Sequence, residues 1–308
     1  MKHALLFPGQ GSQSVGMLGS LQSPVVAATF SEASAALGWD LAALVVSGPE
    51  AQLNKTEFTQ PALLAAGIAT WRAWCELGAP KPDALAGHSL GEYTALVAAG
   101  SLAFADALKL VQLRGQLMQQ AVPEGSGGMA AIIGMEDGAV EQLCAGYKGG
   151  VLEPVNYNAP GQVVVAGDRA GLEWLDANGK AAGARMVMRL PVSVPSHCSL
   201  MKPAADKLAE RLAQIEVKGP SIPVYHNLDA SPRQEPAAIR AALHQQLFRP
   251  VRWTATIQKL AGEGVGAFFE CGPGKVLTGL TKRIAGKTKF LALEDSSVHA
   301  QALEIARS

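Results

Sequence analysis

Three patterns in this chain could carry chemistry. The first is Gly87-His88-Ser89-Leu90-Gly91, a Gly-x-Ser-x-Gly sequence. A serine nucleophile on a sharp strand-to-helix turn needs glycine on both sides, because other backbone passes too close for a side chain. Asp83–Ala86 reads as a short buried strand and Glu92–Ala99 as a helix stopped by Gly100, the context such a turn requires. The second is Arg114. At about 100° per residue, a helix over Phe104–Ala121 gathers Phe104, Ala107, Leu110, Val111, Leu117 and Met118 on one arc. Arg114 falls inside that arc, away from the glutamines on the other side. A guanidinium on an apolar face needs an anion. That anion is either an internal Asp or Glu or a substrate carboxylate, which arginine's planar fork binds through two hydrogen bonds. The third is Pro8-Gly9-Gln10-Gly11, a glycine-rich loop directly after a first strand over residues 4–7, where α/β sheets build their sites. By itself it also reads as an ordinary turn. Serine at position 14 rules out a dinucleotide loop, and Val276 after Gly274-Lys275 rules out a P-loop.

A serine nucleophile also needs a base and oxyanion donors. Of the six histidines, His88 adjoins the serine and points away from it. His3 and His299, near the termini, are expected to be solvated, and His244 lies on a polar stretch of helix. His197, in Pro195-Ser196-His197-Cys198, and His226, just after a strand, both remain open as the base.

These residues need a scaffold. A chain of 308 residues with 48% hydrophobic and 17% charged composition suits a well-buried α/β enzyme. Lys+Arg and Asp+Glu both number 26, which weighs against a nucleic-acid partner. Cys75, Cys144, Cys198 and Cys271 are far apart, so free thiols are expected and neither a metal site nor disulfides. Ala4–Phe7 is too short for a signal-peptide core, and no apolar run approaches the ~18 residues of a membrane span. A cytoplasmic protein with no membrane partner is expected.

Thr59-Gln60-Pro61 reads as the start of a helix, with Thr59 as its N-cap, Pro61 in the first turn and Gly78 closing it. Its Leu64, Ile68, Trp71 and Cys75 would cover the sheet that carries Ser89. Alternating strands and helices imply a mainly parallel sheet. After a linker at 123–128 the pattern changes. Strands at 129–134, 151–157, 162–166 and 185–192 enclose helices at 137–147 and 170–183, the β-α-β-β-α-β order of a ferredoxin-like unit. The chain thus divides into a core of 1–126 and 194–308 and an inserted subdomain at 127–193. The core resumes with a helix at 201–215, a strand at 223–225, a helix at 237–247 and a strand at 267–270.

Phe7-Pro8-Gly9-Gln10-Gly11-Ser12-Gln13, Thr59-Gln60-Pro61-Ala62, Gly87-His88-Ser89-Leu90-Gly91-Glu92-Tyr93, Arg114-Gly115, Pro195-Ser196-His197 and Gly272-Pro273-Gly274 occur in that order. The ordered set resembles the bacterial malonyl-CoA:acyl carrier protein transacylases over essentially the full chain. The resemblance implies an α/β-hydrolase-like core with a ferredoxin-like insert, Ser89 as nucleophile and His197 as general base and acid. It further implies an oxyanion hole from the Gln10 and Leu90 backbone N–H groups, and Arg114 binding the free carboxylate of malonate. His197 would be oriented by main-chain carbonyls, one of them from Arg249 at a position that is commonly asparagine. The implied substrates are malonyl-CoA and acyl carrier protein, with no cofactor, acting on a monomer in fatty-acid synthesis. The carriers of this pathway are acidic. Lys275, Lys282, Arg283, Lys287 and Lys289, with no acidic residue among positions 275–289, are a candidate docking patch; a solvated helix face accounts for them equally well. The competing readings are a serine thioesterase or esterase, a non-catalytic carrier-binding module, and an acyltransferase of polyketide synthesis or malonate decarboxylation.

Overall fold

The computed structural model describes residues 1–308 except Gln22, Glu124 and Ser193. One position of the expected linker and the far limit of the expected insert therefore lie outside the described residues. The strands are β1 (His3–Phe7), β2 (Ala84–Gly87), β3 (Gly127–Ile133), β4 (Leu152–Ala159), β5 (Gln162–Asp168), β6 (Met186–Arg189), β7 (Val224–Tyr225), β8 (Ala267–Glu270) and β9 (Lys289–Ala292). They form two separate sheets. A five-stranded sheet, ordered β7-β2-β1-β8-β9, is parallel throughout, and a four-stranded sheet, ordered β4-β5-β3-β6, is antiparallel.

β1 lies at the centre of the parallel sheet and all five of its residues are buried, as expected for a strand covered on both faces. On one face Leu5, Phe7, Leu85 and Phe269 join Leu64, Ile68 and Trp74 of the helix Thr56–Glu76. On the other, Leu6, Ala86 and Phe268 pack with Trp253, Ile257 and Leu260 of the helix Trp253–Gly262. Phe7 pairs with Gly87, so the chain leaves β1 and β2 at the same edge of the sheet. The Pro8-Gly9-Gln10 loop and Ser89 are therefore neighbours by topology.

In the smaller sheet the chain's strands run fourth, first, third, second across the ladder, the ferredoxin-like arrangement. Ala130, Ile132, Val163 and Val165 face the helices Asp137–Gly146 and Arg169–Asn178, while Met129, Ala131, Val164 and Ala166 face back toward Cys198.

Local expectations are corrected in four places. The helix expected to open at Thr59 begins at Thr56, so Thr59 and Pro61 both lie inside it. The Thr59 hydroxyl donates backward to the Leu53 and Lys55 carbonyls, at 2.5 and 3.1 Å, instead of accepting from the helix N-terminus. Cys75, expected on the sheet-facing side, is exposed. The last strand of the small sheet spans Met186–Arg189 rather than 185–192, and Pro191 just beyond it has no N–H for a ladder. His3, expected in solvent, is 2% exposed because it is the first residue of the central strand, with its ring 5.7 Å from that of Phe269.

Candidate active site

Ser89 joins β2 to the helix Leu90–Ala98 with φ 52° and ψ −108°, a left-handed backbone that a non-glycine residue holds only under constraint. The flanking glycines explain the constraint. A Cβ on Gly87 would sit 1.9 Å from the backbone of Gly91, and one on Gly91 would sit 2.0 Å from the Phe7 carbonyl oxygen. Asn227 fixes the turn from the other side. Its Oδ1 accepts from the Ser89 N–H at 2.7 Å and its Nδ2 donates to the Gly87 carbonyl at 2.6 Å. Buried Glu92 in turn accepts from the Asn227 N–H at 2.8 Å and meets His226 Nδ1 at 2.7 Å.

The distance from Ser89 decides between the two open histidines. His197 Nε2 lies 2.7 Å from Ser89 Oγ. His226 is fully buried and is held by Glu92. His88 forms part of the cavity wall and bonds Asn158 Oδ1 at 2.8 Å. His244 bonds Asp206, and His299 the Leu293 carbonyl. On the far side of its ring, His197 Nδ1 lies 2.7 Å from the Gln246 carbonyl oxygen. A carbonyl only accepts, so Nδ1 carries the proton and Nε2 presents a lone pair to the serine hydroxyl. Arg249 was the expected source of such a carbonyl. Its main chain draws the His197 pKa in the same direction, after that of Gln246.

Burial is the largest influence on His197 and Arg114 the next. Together they depress its pKa from 6.5 to about 3. A prediction follows for the pH profile. His197 stays neutral across the physiological range, so Ser89 acylation rates measured from pH 8 down to pH 5 are expected to stay flat. A decline centred near 6.5 would show that the ring titrates like a free imidazole. The stability consequence has the opposite setting. The folded-state pKa lies below the unfolded one, so the contribution of His197 is complete above 6.5 and is lost as pH falls from 6.5 toward 3.

Arg114 is 1% exposed on the helix Phe104–Ala121. Gly115 beside it lets that helix press against the start of Thr56–Glu76; a Cβ there would sit 2.7 Å from the Thr56 carbonyl oxygen. This approach sets Arg114 next to Gln60. One guanidinium nitrogen donates to Gln60 Oε1 at 3.0 Å, and the other to Gln246 Oε1 at 3.1 Å and Ser89 Oγ at 3.3 Å. Tyr93 stacks 5.4 Å away. Among the described residues no carboxylate forms a direct ion pair with Arg114; buried Glu92 acts on it only across the Gln246 amide. Gln60, Gln246 and Asn227 carry much of this arrangement, yet sequence reading gave none of them a role.

One cavity is lined by Ser89, His197, Arg114, Gln10 and Leu90, roofed by Met129, Asn156, Leu190 and Val192. Gln10, Thr56 and Val192 also line an adjoining groove of about 440 Å³ that includes Lys55. Among the described residues, neither the Gln10 nor the Leu90 N–H is taken by a main-chain carbonyl. Lys275, Lys282, Arg283, Lys287 and Lys289 are all exposed. Arg283 is engaged, however, donating to Gln162 and to the Pro160 carbonyl in the β4–β5 turn.

A serine, a neutral histidine and a buried cation around one cavity suit acyl transfer. The acyl transferase domain family model matches residues 4–290. The chain belongs to the acyl transferase domain family. Within it, the chain is 54% identical to the malonyl CoA-acyl carrier protein transacylase of Salmonella typhimurium, over 97% of this chain and 98% of that one. Among solved structures, an acyl carrier protein S-malonyltransferase from Vibrio cholerae matches with a TM-score of 0.95 at 55% identity, covering 98% of this chain and all of the other. A malonyl-transacylase solved with its type II PKS acyl-carrier protein matches with a TM-score of 0.97 at 52% identity, covering 99% and 100%. Among the described residues of this acyl transferase domain, no helix is long and apolar enough to cross a membrane.

Proposed function

We propose that this protein transfers the malonyl group of malonyl-CoA to the phosphopantetheine thiol of an acyl carrier protein, through a malonyl ester on Ser89. The observation that carries the reading is the placement of Ser89 Oγ. It lies 2.7 Å from a neutral base and 3.3 Å from a guanidinium that the chain leaves without an anion.

His197 Nε2 takes the hydroxyl proton as Ser89 Oγ attacks the thioester carbonyl. The negative oxygen of the tetrahedral intermediate is received by the N–H groups of Gln10 and Leu90; losing one such donor in related chemistry costs roughly 2.7–4 kcal/mol. Collapse breaks the C–S bond, and His197 returns the proton to the departing CoA thiolate. The carrier thiol then gives its proton to His197, attacks the ester and leaves as malonyl thioester, restoring the Ser89 hydroxyl. Throughout, Arg114 holds the distal carboxylate.

The chain is read as a catalytic core of 1–126 and 194–308 with 127–193 inserted as a roof, a cytoplasmic enzyme of fatty-acid synthesis. Lys275, Lys282, Lys287 and Lys289 are proposed to meet the acidic carrier, with Arg283 bracing the two sheets. The relative solved with a polyketide carrier supports a second reading, in which the accepting carrier belongs to that pathway.

Both readings are tested by incubating the protein separately with malonyl-, methylmalonyl- and acetyl-CoA and measuring intact mass. Carrier of either pathway is then added. The expected result is a malonyl adduct that a carrier discharges, and the faster carrier names the pathway. No adduct with any of the three, or an adduct that water discharges as fast as carrier, would sink the transferase reading in favour of a hydrolase or a binding module.

A further inference from the structure

We propose that Gln60 and Gln246 set the preference for an anionic acyl group, by holding the Arg114 guanidinium through neutral carbonyls in place of a directly paired carboxylate. This deepens the transfer reading and rests on it. Both glutamines are buried, 1% exposed each. Each amide is oriented by its nitrogen end. Gln60 Nε2 points to Met118 Sδ at 3.4 Å. Gln246 Nε2 donates to the Ser89 carbonyl at 2.8 Å and to Glu92 Oε2 at 3.2 Å. The oxygen ends are thereby turned to the guanidinium.

These contacts satisfy donors on both terminal nitrogens of Arg114 without cancelling its charge. The Tyr93 ring attracts a cation in the same manner. The Arg114 Nε–H finds no acceptor among the described residues. Glu92, the buried carboxylate that acts on Arg114 electrostatically, is separated from it by the Gln246 amide, which donates to the one and accepts from the other. An arginine in an ordinary core would be paired with a carboxylate. Here the chain supplies amide oxygens at the positions where such a carboxylate would stand. An incoming malonyl carboxylate therefore meets a guanidinium with no carboxylate already against it, in a water-poor site where Coulomb attraction is strong. An acetyl group gains nothing from it.

A glutamate at position 60 has the length of glutamine and brings a carboxylate to the same point, 3.0 Å from the guanidinium. It would both neutralise Arg114 and face the substrate's own carboxylate. Juxtaposed like charges at a desolvated contact cost several kcal/mol, so the malonyl-to-acetyl rate ratio for Ser89 acylation should fall by roughly tenfold or more. Gln60→Met keeps length and removes the whole amide without adding a charge, so malonyl should stay ahead. Gln246→Glu brings a carboxylate to the guanidinium from the other side. It also removes the donor to Glu92 and the Ser89 carbonyl, which slows both esters alike, so its malonyl-to-acetyl ratio, not its absolute rate, carries the test if Gln60→Glu fails to fold.

The experiment follows intact-mass time courses of the full-length protein and these three variants with malonyl-CoA and with acetyl-CoA. The expected result is a collapsed ratio in both Glu variants, with acetyl loading of Gln60→Glu retained and the ratio of Gln60→Met still favouring malonyl. The proposal is overturned if the Glu variants keep the wild-type ratio. It is overturned equally if they lose both acyl groups in proportion, or if Gln60→Met collapses the ratio as far as Gln60→Glu. A wild-type protein that takes no malonyl group would instead sink the transfer reading beneath it.

Discussion

Ser89→Ala, incubated with malonyl-CoA, is expected to keep its unmodified mass and to transfer no malonyl group to carrier. The other parts of the site survive the substitution. His197 still reaches Gln246, Gln10 and Leu90 still line the cavity, and Arg114 keeps its bonds to Gln60 and Gln246. None of them can form the ester. In a serine protease, removing the nucleophile alone costs on the order of a millionfold in turnover, about as much as removing its whole catalytic group. Malonyl-CoA binding is expected to persist, because Arg114 loses only its 3.3 Å bond to the hydroxyl and keeps both glutamine acceptors. A Ser89→Ala protein that still acquired a malonyl adduct would place the nucleophile elsewhere.

Arg114→Ala is expected to divide the substrates. Malonyl loading should fall by on the order of a hundredfold or more, since an unpaired carboxylate in a buried site costs about 3–5 kcal/mol. Acetyl loading should be spared, for two reasons. The acetyl methyl makes no demand on the guanidinium. Arg114 also holds down the His197 pKa, second only to burial, so its removal leaves a stronger base. The variant is expected to load acetyl at least as well as the parent relative to malonyl, measured as acylation rates from each CoA ester at equal concentration. Equal losses with both esters would show that Arg114 serves the fold or the dyad and not the carboxylate.

The nucleophile was legible because its demand is steric and local. A side chain on Gly87 would meet the backbone of Gly91, and one on Gly91 that of Phe7, so no other residue type fits. Arg114 was legible as a break in a helical period, and the small sheet as an ordered alternation of strands and helices. Thr59 shows the limit of end signals. A threonine followed by a proline reads as a helix start, yet here its hydroxyl bonds backward within a helix already begun. The helices over Pro24–Leu37 and Trp253–Gly262 and the edge strand Lys289–Ala292 left no distinct sequence signal that we read. The base stayed open between His197 and His226 because only distance separates them. Gln60, Asn227 and Gln246 were hidden for a related reason. A neutral amide breaks no pattern, and its role appears only when segments 54 and 132 residues from Arg114 converge on one guanidinium.

The absence of a directly paired carboxylate at Arg114, among the described residues, also has a consequence for the stability of the molecule through its reaction cycle. A buried cation with no carboxylate in direct contact raises the free energy of the resting fold, and an anion brought against it in the folded state lowers it. The malonyl ester on Ser89 stays attached when the chain unfolds, but its carboxylate meets the buried guanidinium only in the fold, so the loaded enzyme is expected to melt above the empty one, and an acetyl ester to raise the melting temperature less. Between encounters with carrier, the form best protected against unfolding is then the one already charged with its cargo.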